Sequence, residues 1–185
     1  MLSCKGISAL SAFFIGAASI ACADMGLDKF RTLALSLEDS ALKATINNRK
    51  DPILVHLGDK VSFTVEGVAG KSLFILNLDH EGVLRVIFPN KFDKTAEQTE
   101  NKLQVPASGA KYSFQVTGGP GDEIVKFIAI SGRTEQFETA IESLFEKGQN
   151  FPRAIVPVAT ATETLEDVLA ELSVQSATIE YRIEK

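Results

Sequence analysis

Thiols are nearly absent from this sequence: of 185 residues only Cys4 and Cys22 carry one, and both lie near the amino terminus. A chain shortened past Cys22 has no route to disulfides, thiolate metal sites or a cysteine nucleophile. Histidine occurs only at His56 and His80, which leaves few ways to assemble a Ser-His-Asp triad, and no G-x-S-x-G elbow accompanies them. Tryptophan is absent and tyrosine occurs only at Tyr112 and Tyr181, a thin supply of platforms for stacking sugars. The formal charge is −5 with no run of basic residues, a balance that repels phosphate backbones and excludes nucleic acid as the expected partner.

Met1 to Ala23 has the pattern of an export signal. Lys5 and the amino terminus supply positive charge, Ile7 to Ala21 is apolar but short for a membrane span, and Ala21-Cys22-Ala23 fits a small-x-small cleavage site before Asp24. The mature chain is then expected to begin at residue 24, to have no transmembrane span, and to reside in the periplasm. Ser19-Ile20-Ala21-Cys22 also resembles a bacterial lipobox, so the alternatives are a lipoprotein anchored through Cys22 or a secreted protein. Residues 24–185 suffice for one domain burying about 70% of its unfolded surface without covalent staples.

What is plentiful is β pattern. Val61, Phe63 and Val65 alternate with Ser62, Thr64 and Glu66, and Tyr112, Phe114 and Val116 with Ser113, Gln115 and Thr117. Ile124 to Ile130 is almost wholly apolar and predicts a central strand covered on both faces. Leu33, Leu35 and Leu37, then Leu42 to Ile46, and Ile53 to Leu57 are further candidate strands. Past residue 132 the period lengthens: Phe137, Ala140, Ile141, Leu144 and Phe145 predict a helix ended by Gly148, and Leu165, Val168, Leu169 and Leu172 predict a second with Thr164 as N-cap. Phe151-Pro152 to Val158 reads as an extended connector. The alternation of Ile179, Tyr181 and Ile183 with Glu180, Arg182 and Glu184 predicts a closing strand. The expected fold is mainly β or α+β: an antiparallel sandwich-like core, two amphipathic helices and a final strand.

LFILNLDHEGVLRVIFPN, residues 73–90, contains the most chemically suggestive cluster, Asp79-His80-Glu81. A three-residue loop of His80, Glu81 and Gly82 pairs Asp79 with Val83 and places glycine where a left-handed residue is needed. In that register Phe74, Leu76, Leu78, Leu84, Val86 and Phe88 share one face, and Asn77, Asp79, Arg85, Ile75 and Ile87 the other. Asp79 is expected to accept a backbone N–H, and His80 and Glu81 to sit at an exposed tip pointing into water. On this reading no residue is assigned as catalytic, cofactor-binding or metal-ligating. His56 is expected to be a packed or half-exposed strand residue. Beyond Phe88, Pro89 halts pairing and Asn90 turns the chain out. Lys91 to Lys102 forms a long polar connection in which Phe92 either plugs the core edge or anchors a partner.

Two glycine-rich stretches imitate phosphate loops. Gly67 to Ser72 has a spacer too short for one, and Thr117 to Asp122 lacks the GxGxxG spacing; both join strands. Asp122 and Glu123 are the carboxylates that a small acid–base enzyme would use, though such residues in a glycine-rich connection are more often turn formers.

Leu57 to Phe63, the hairpin segment 73–90, Leu103 to Pro106, and Gly119 to Glu123 leading into IVKFIAIS together resemble the bacterial family called domain of unknown function 4384, over residues 51–132. The resemblance implies a β-rich extracytoplasmic or accessory module with no assigned activity, and carries no catalytic residue. The functional expectation is a non-catalytic envelope module that binds or assembles with another envelope protein. The alternatives are a carbohydrate or peptidoglycan-associated module and a small acid–base enzyme.

Overall fold

Ile124 to Ile130 does run through the middle of the molecule. The computed structural model describes residues 28–34, 41–47 and 53–185; the proposed export segment lies outside them. In chain order the elements are α1 (28–34), β1 (Lys43–Ile46), β2 (Leu54–His56), β3 (Lys60–Val61), β4 (Phe63–Glu66), β5 (Lys71–Leu78), β6 (Leu84–Phe88), β7 (Glu97–Gln98), β8 (Lys102–Val105), β9 (Phe114–Gln115), β10 (Gly121–Ser131), α2 (Glu135–Leu144), α3 (Val158–Ala170) and β11 (Ser173–Glu184).

The main sheet has the order β2-β11-β10-β5-β6, with β7 paired to the far end of β5. All its pairs are antiparallel except β11 with β2. Successive side chains of β5 and β10 bury on opposite sides, because a strand alternates its faces. Leu73, Ile75, Val125, Phe127 and Ala129 join one core, with Phe63 and Val65 of the small sheet β1-β4-β8 packed over them. Phe74, Leu76, Leu78, Ile124, Ile128 and Ile130 join the second core, under Phe30 and Leu33 of α1, Phe137 of α2 and Leu165 of α3. The result is three layers, small sheet, main sheet and helices, which confirms the mainly β reading with C-terminal helices and a closing strand. Among the described residues no helix is long and apolar enough to cross a membrane.

Several expectations are corrected. Leu33 lies in a helix, not a strand: Phe30, Leu33 and Ala34 are buried at i, i+3, i+4 spacing; Leu35 and Leu37 lie outside the described residues. Thr164 is inside α3, which starts six residues earlier after Pro157, and its hydroxyl donates to the Thr160 carbonyl. Buried Ala161 and Thr162 extend the packed stripe toward the N-terminus, where small and polar residues had disguised it. α2 ends as Phe145 turns extended, ahead of Gly148, because residues 145 and 154 form a β-bridge. Only Phe114 and Gln115 of the Tyr112–Val116 stretch pair as a strand, with β3.

Candidate functional site

The β5–β6 hairpin has the expected register, Leu78 opposite Leu84, Asn77 opposite Arg85 and Leu76 opposite Val86. Gly82 has a φ of 77°. Asp79 Oδ1 accepts the N–H groups of Glu81 at 3.0 Å and Val83 at 2.8 Å, so the loop's donors are met by one carboxylate. Its other oxygen pairs with Arg85. A bulge between Ile75 and Leu76 then places Phe88 opposite Ile75 and moves it into the small-sheet core, away from Phe74 and Leu76.

Of the two tip residues only Glu81 points into water; His80 does not. Extending the antiparallel register of β5 and β10 past the pair Leu78–Ile124 sets Asp79 and His80 beside Glu123 and Asp122. The His80 side chain is 16% exposed, whereas Glu81 is 66% exposed. His80 folds onto the loop of Gly118, Gly119 and Gly121. A Cβ at Gly121 would stand 2.5 Å from His80 Cβ, and one at Gly118 would stand 3.0 Å from Cε1. The glycine-rich stretch is thus a cradle for an imidazole. Gly119 N–H donates to Nε2 at 3.1 Å, so in the neutral ring the proton sits on Nδ1. Nδ1 is buried with no hydrogen-bond partner among the described residues, 3.7 Å from Glu123 Oε1.

Glu123 is 8% exposed. Its Oε2 accepts the Asn77 amide at 3.1 Å and the Tyr181 hydroxyl at 2.5 Å. The β10–β11 register causes the second contact by setting Glu123 opposite Tyr181. Burial, and then the Glu123 carboxylate, push the Tyr181 hydroxyl far above the ordinary phenol range. The main-sheet face that is apolar through Ile75, Val125 and Ile179 therefore turns polar at one end, in Asn77, Asp79, Arg85, Glu123 and Tyr181.

Over that polar end lies a cavity of about 700 Å³. Val61, Phe114 and Val116 wall one side, and Glu146, Phe151 and Arg153 another. The latter segment is fixed by backbone bonds: Ala154 N–H donates to the Leu84 carbonyl at 2.8 Å and Val86 N–H to the Pro152 carbonyl at 2.9 Å. Arg153 pairs with Glu146 at 2.7 Å. The expected connector is thus an edge cover for β6 as well as a pocket wall.

Elsewhere the chemistry-bearing residues are dispersed. His56 is exposed on β2 and stays local, its backbone N–H capped by Asp59. Asp122 points outward to a two-pronged pair with Arg182 at 2.6 and 2.8 Å, which holds its carboxyl below the ordinary value. Lys71 Nζ donates to the Gly67 carbonyl within its own turn. Phe92, 44% exposed, stacks on Tyr112 with centroids 5.0 Å apart, so it neither plugs the core nor stands alone. Asn90 organises the segment after the hairpin, its Oδ1 accepting from Phe92 and Asp93. No group of three or more His, Asp and Glu among the described residues is placed to hold a metal ion.

Residues 55–132 match the model of the family described as Domain of unknown function (DUF4384). This span holds the hairpin, the glycine cradle and Glu123, while Tyr181 and the wall from Glu146 to Arg153 come from beyond it. Comparison with curated proteins gives no match.

Proposed function

We propose, for a chain whose residues 55–132 match the DUF4384 family model, that it is a non-catalytic envelope module which binds its ligand or partner in the cavity above the His80–Glu123 floor. The observation that carries this reading is that the His80 imidazole and one oxygen of Glu123 are committed to the protein. The lone pair of His80 that a general base would use accepts the Gly119 N–H, and Nδ1 is sealed from the cavity. Glu123 spends Oε2 on Asn77 and Tyr181. Such groups hold a fixed polar surface under an aromatic wall, the usual make-up of a recognition site. Export to the periplasm, soluble or anchored through Cys22, belongs to the same proposal and is supported by the pattern of Met1 to Ala23.

The test is a fragment library of amines, acids, alcohols and sugars followed by amide chemical shifts of the labelled chain. Shifts clustered at Phe114, Gly119 and Phe151, lost in Phe151→Ala, support binding. Turnover of a hydrolase substrate panel that is abolished by His80→Gln overturns the non-catalytic reading.

A second reading, association with carbohydrate or peptidoglycan, is favoured by the exposed Phe92 ring stacked on Tyr112. Retention on immobilised peptidoglycan that Phe92→Ala removes supports it; retention unchanged by that substitution counts against it.

A further inference from the structure

The charges around the cavity do not balance, and the imbalance has a chemical direction. Arg85 and Arg153 are its only cationic lining residues, and each is already engaged, with Asp79 and Glu146 respectively. Glu81 and Glu123 have no arginine or lysine opposite them on the lining: the base that faces them is the His80 imidazole, 4.0 Å from Glu81 and 3.7 Å from Glu123, too far for a hydrogen bond to either. Glu123 Oε1 accepts no hydrogen bond from a described residue, since both of its donors bind Oε2.

We infer that this pocket selects an organic cation with an apolar body: an ammonium or guanidinium group directed to Glu123 and Glu81, and a hydrocarbon or ring against Phe114 and Phe151. The inference rests on the binding reading above and adds the ligand class. An anion entering the cavity would face two carboxylates that no arginine or lysine of the lining offsets. A wholly apolar ligand would exclude water from Oε1 and leave a buried acceptor unmet, which is costly. An ammonium brings N–H donors to that oxygen and charge to both glutamates, and the two rings offer faces to a cation. The cavity's volume is within the usual 300–1,000 Å³ of small-ligand sites, ample for an arylalkylamine or a basic side chain with one apolar neighbour. The cation has two possible sources, a free amine or a lysine or arginine side chain of a partner's peptide.

The experiment titrates the labelled full chain with phenethylammonium, its anionic counterpart phenylacetate, its neutral counterpart 2-phenylethanol, and the peptide acetyl-Phe-Lys-amide, following the amides of Phe114, Gly119 and Phe151. The expected result is binding of phenethylammonium roughly tenfold tighter than phenylacetate, with the preference reduced in Glu81→Gln and abolished in Glu123→Gln. Glu81 is an exposed loop residue, so its variant keeps the test open if the buried substitution unfolds the chain. Tighter binding of the peptide than of the amine assigns the cation to a protein partner, and the reverse to a small molecule. Equal or stronger binding of phenylacetate or the alcohol at these amides overturns the cation assignment and leaves pocket binding intact. Silence of all four probes overturns the cation assignment, and the fragment library then decides the pocket itself.

Discussion

His80 Nε2 accepts the backbone N–H of Gly119 at 3.1 Å, across 39 residues of sequence. That bond ties the tip of the β5–β6 hairpin to the loop entering β10, and it converts an acidic turn into the floor of a cavity. Because the sheet register puts both loops at one end, the contact needs only space, which three residues without Cβ provide. Turn and site are therefore the same feature: Asp79 makes the turn, and His80 is what the turn delivers.

Gly121→Ala is expected to destabilise the fold by about 1–3 kcal/mol, because the added methyl meets His80 Cβ and Cγ at 2.5 and 2.9 Å in a place where neither backbone can yield freely. His80→Gly in the same chain, which removes the Cβ as well as the ring, should recover most of the clash's cost by opening the space. Urea midpoints of the two single variants and the double variant measure the coupling; strictly additive losses would show that the two residues do not compete for space.

Asp79 has two separable jobs. Asp79→Ala removes the acceptor of two loop N–H groups and the partner of Arg85, with an expected cost of about 2–3 kcal/mol. Asp79→Asn keeps an oxygen for the loop and loses only the charge, so its cost should be less than half as large. Equal losses in denaturant unfolding would assign the whole effect to the ion pair.

Both tyrosines predict alkaline sensitivity. Burial, followed by the Asp93 acceptor, pushes the Tyr112 hydroxyl up to about 12 from 10.0, and Tyr181 is raised still further. The fold favours the protonated phenols, so their contribution is fully present below pH about 10 and is lost as the unfolded chain ionises between pH 10 and 12 and beyond. Denaturant stability measured across that range should fall, and Tyr112→Phe with Tyr181→Phe should flatten the decline while lowering stability at neutral pH. Ionisation followed at 295 nm should show neither phenol titrating near its ordinary value before unfolding.

Much of the architecture was legible because burial imposes a period. Ile124 to Ile130 suggests a doubly covered strand by its short, β-rich apolar run, and the hairpin register followed from Gly82 and from sorting apolar against polar residues on two faces. The bulge at Ile75 was invisible for the complementary reason: both faces there are buried, so Ile87 and Phe88 satisfy either side. The alternation of Leu33, Leu35 and Leu37 hides α1, whose helical stripe is carried by Phe30, Leu33 and Ala34. The site was half legible. Asp79, His80 and Glu81 stood out, as did the glycine-rich loop, but nothing in either segment announces the other; only the β5–β10 register joins them. Tyr181, Glu146 and Phe151, supplied from outside the residues that match the family model, had no local signal of a shared cavity.

Lys126 is the polar exception in the central strand, and its burial sets the last prediction. Its side chain is fully buried on the helical side of the main sheet, with Nζ donating to the Ala34 carbonyl at 2.5 Å and to Thr178 Oγ1 at 3.2 Å, while the Thr178 hydroxyl donates to the same carbonyl at 2.7 Å. A lysine here is tolerable only because its donors are met, and in return it binds α1 to the sheet through the backbone of that helix. Lys126→Met keeps the volume and removes the donor. It should cost about 1–3 kcal/mol, and amide exchange should accelerate in residues 30–34 more than in β10, since the sheet's own ladder is untouched. Thr178→Val alone should do less, because Nζ still serves the carbonyl, and the double variant should release α1 more than the two single losses combined. Uniform acceleration across α1 and β10 would mean that Lys126 supports the strand and not the helix docked on it.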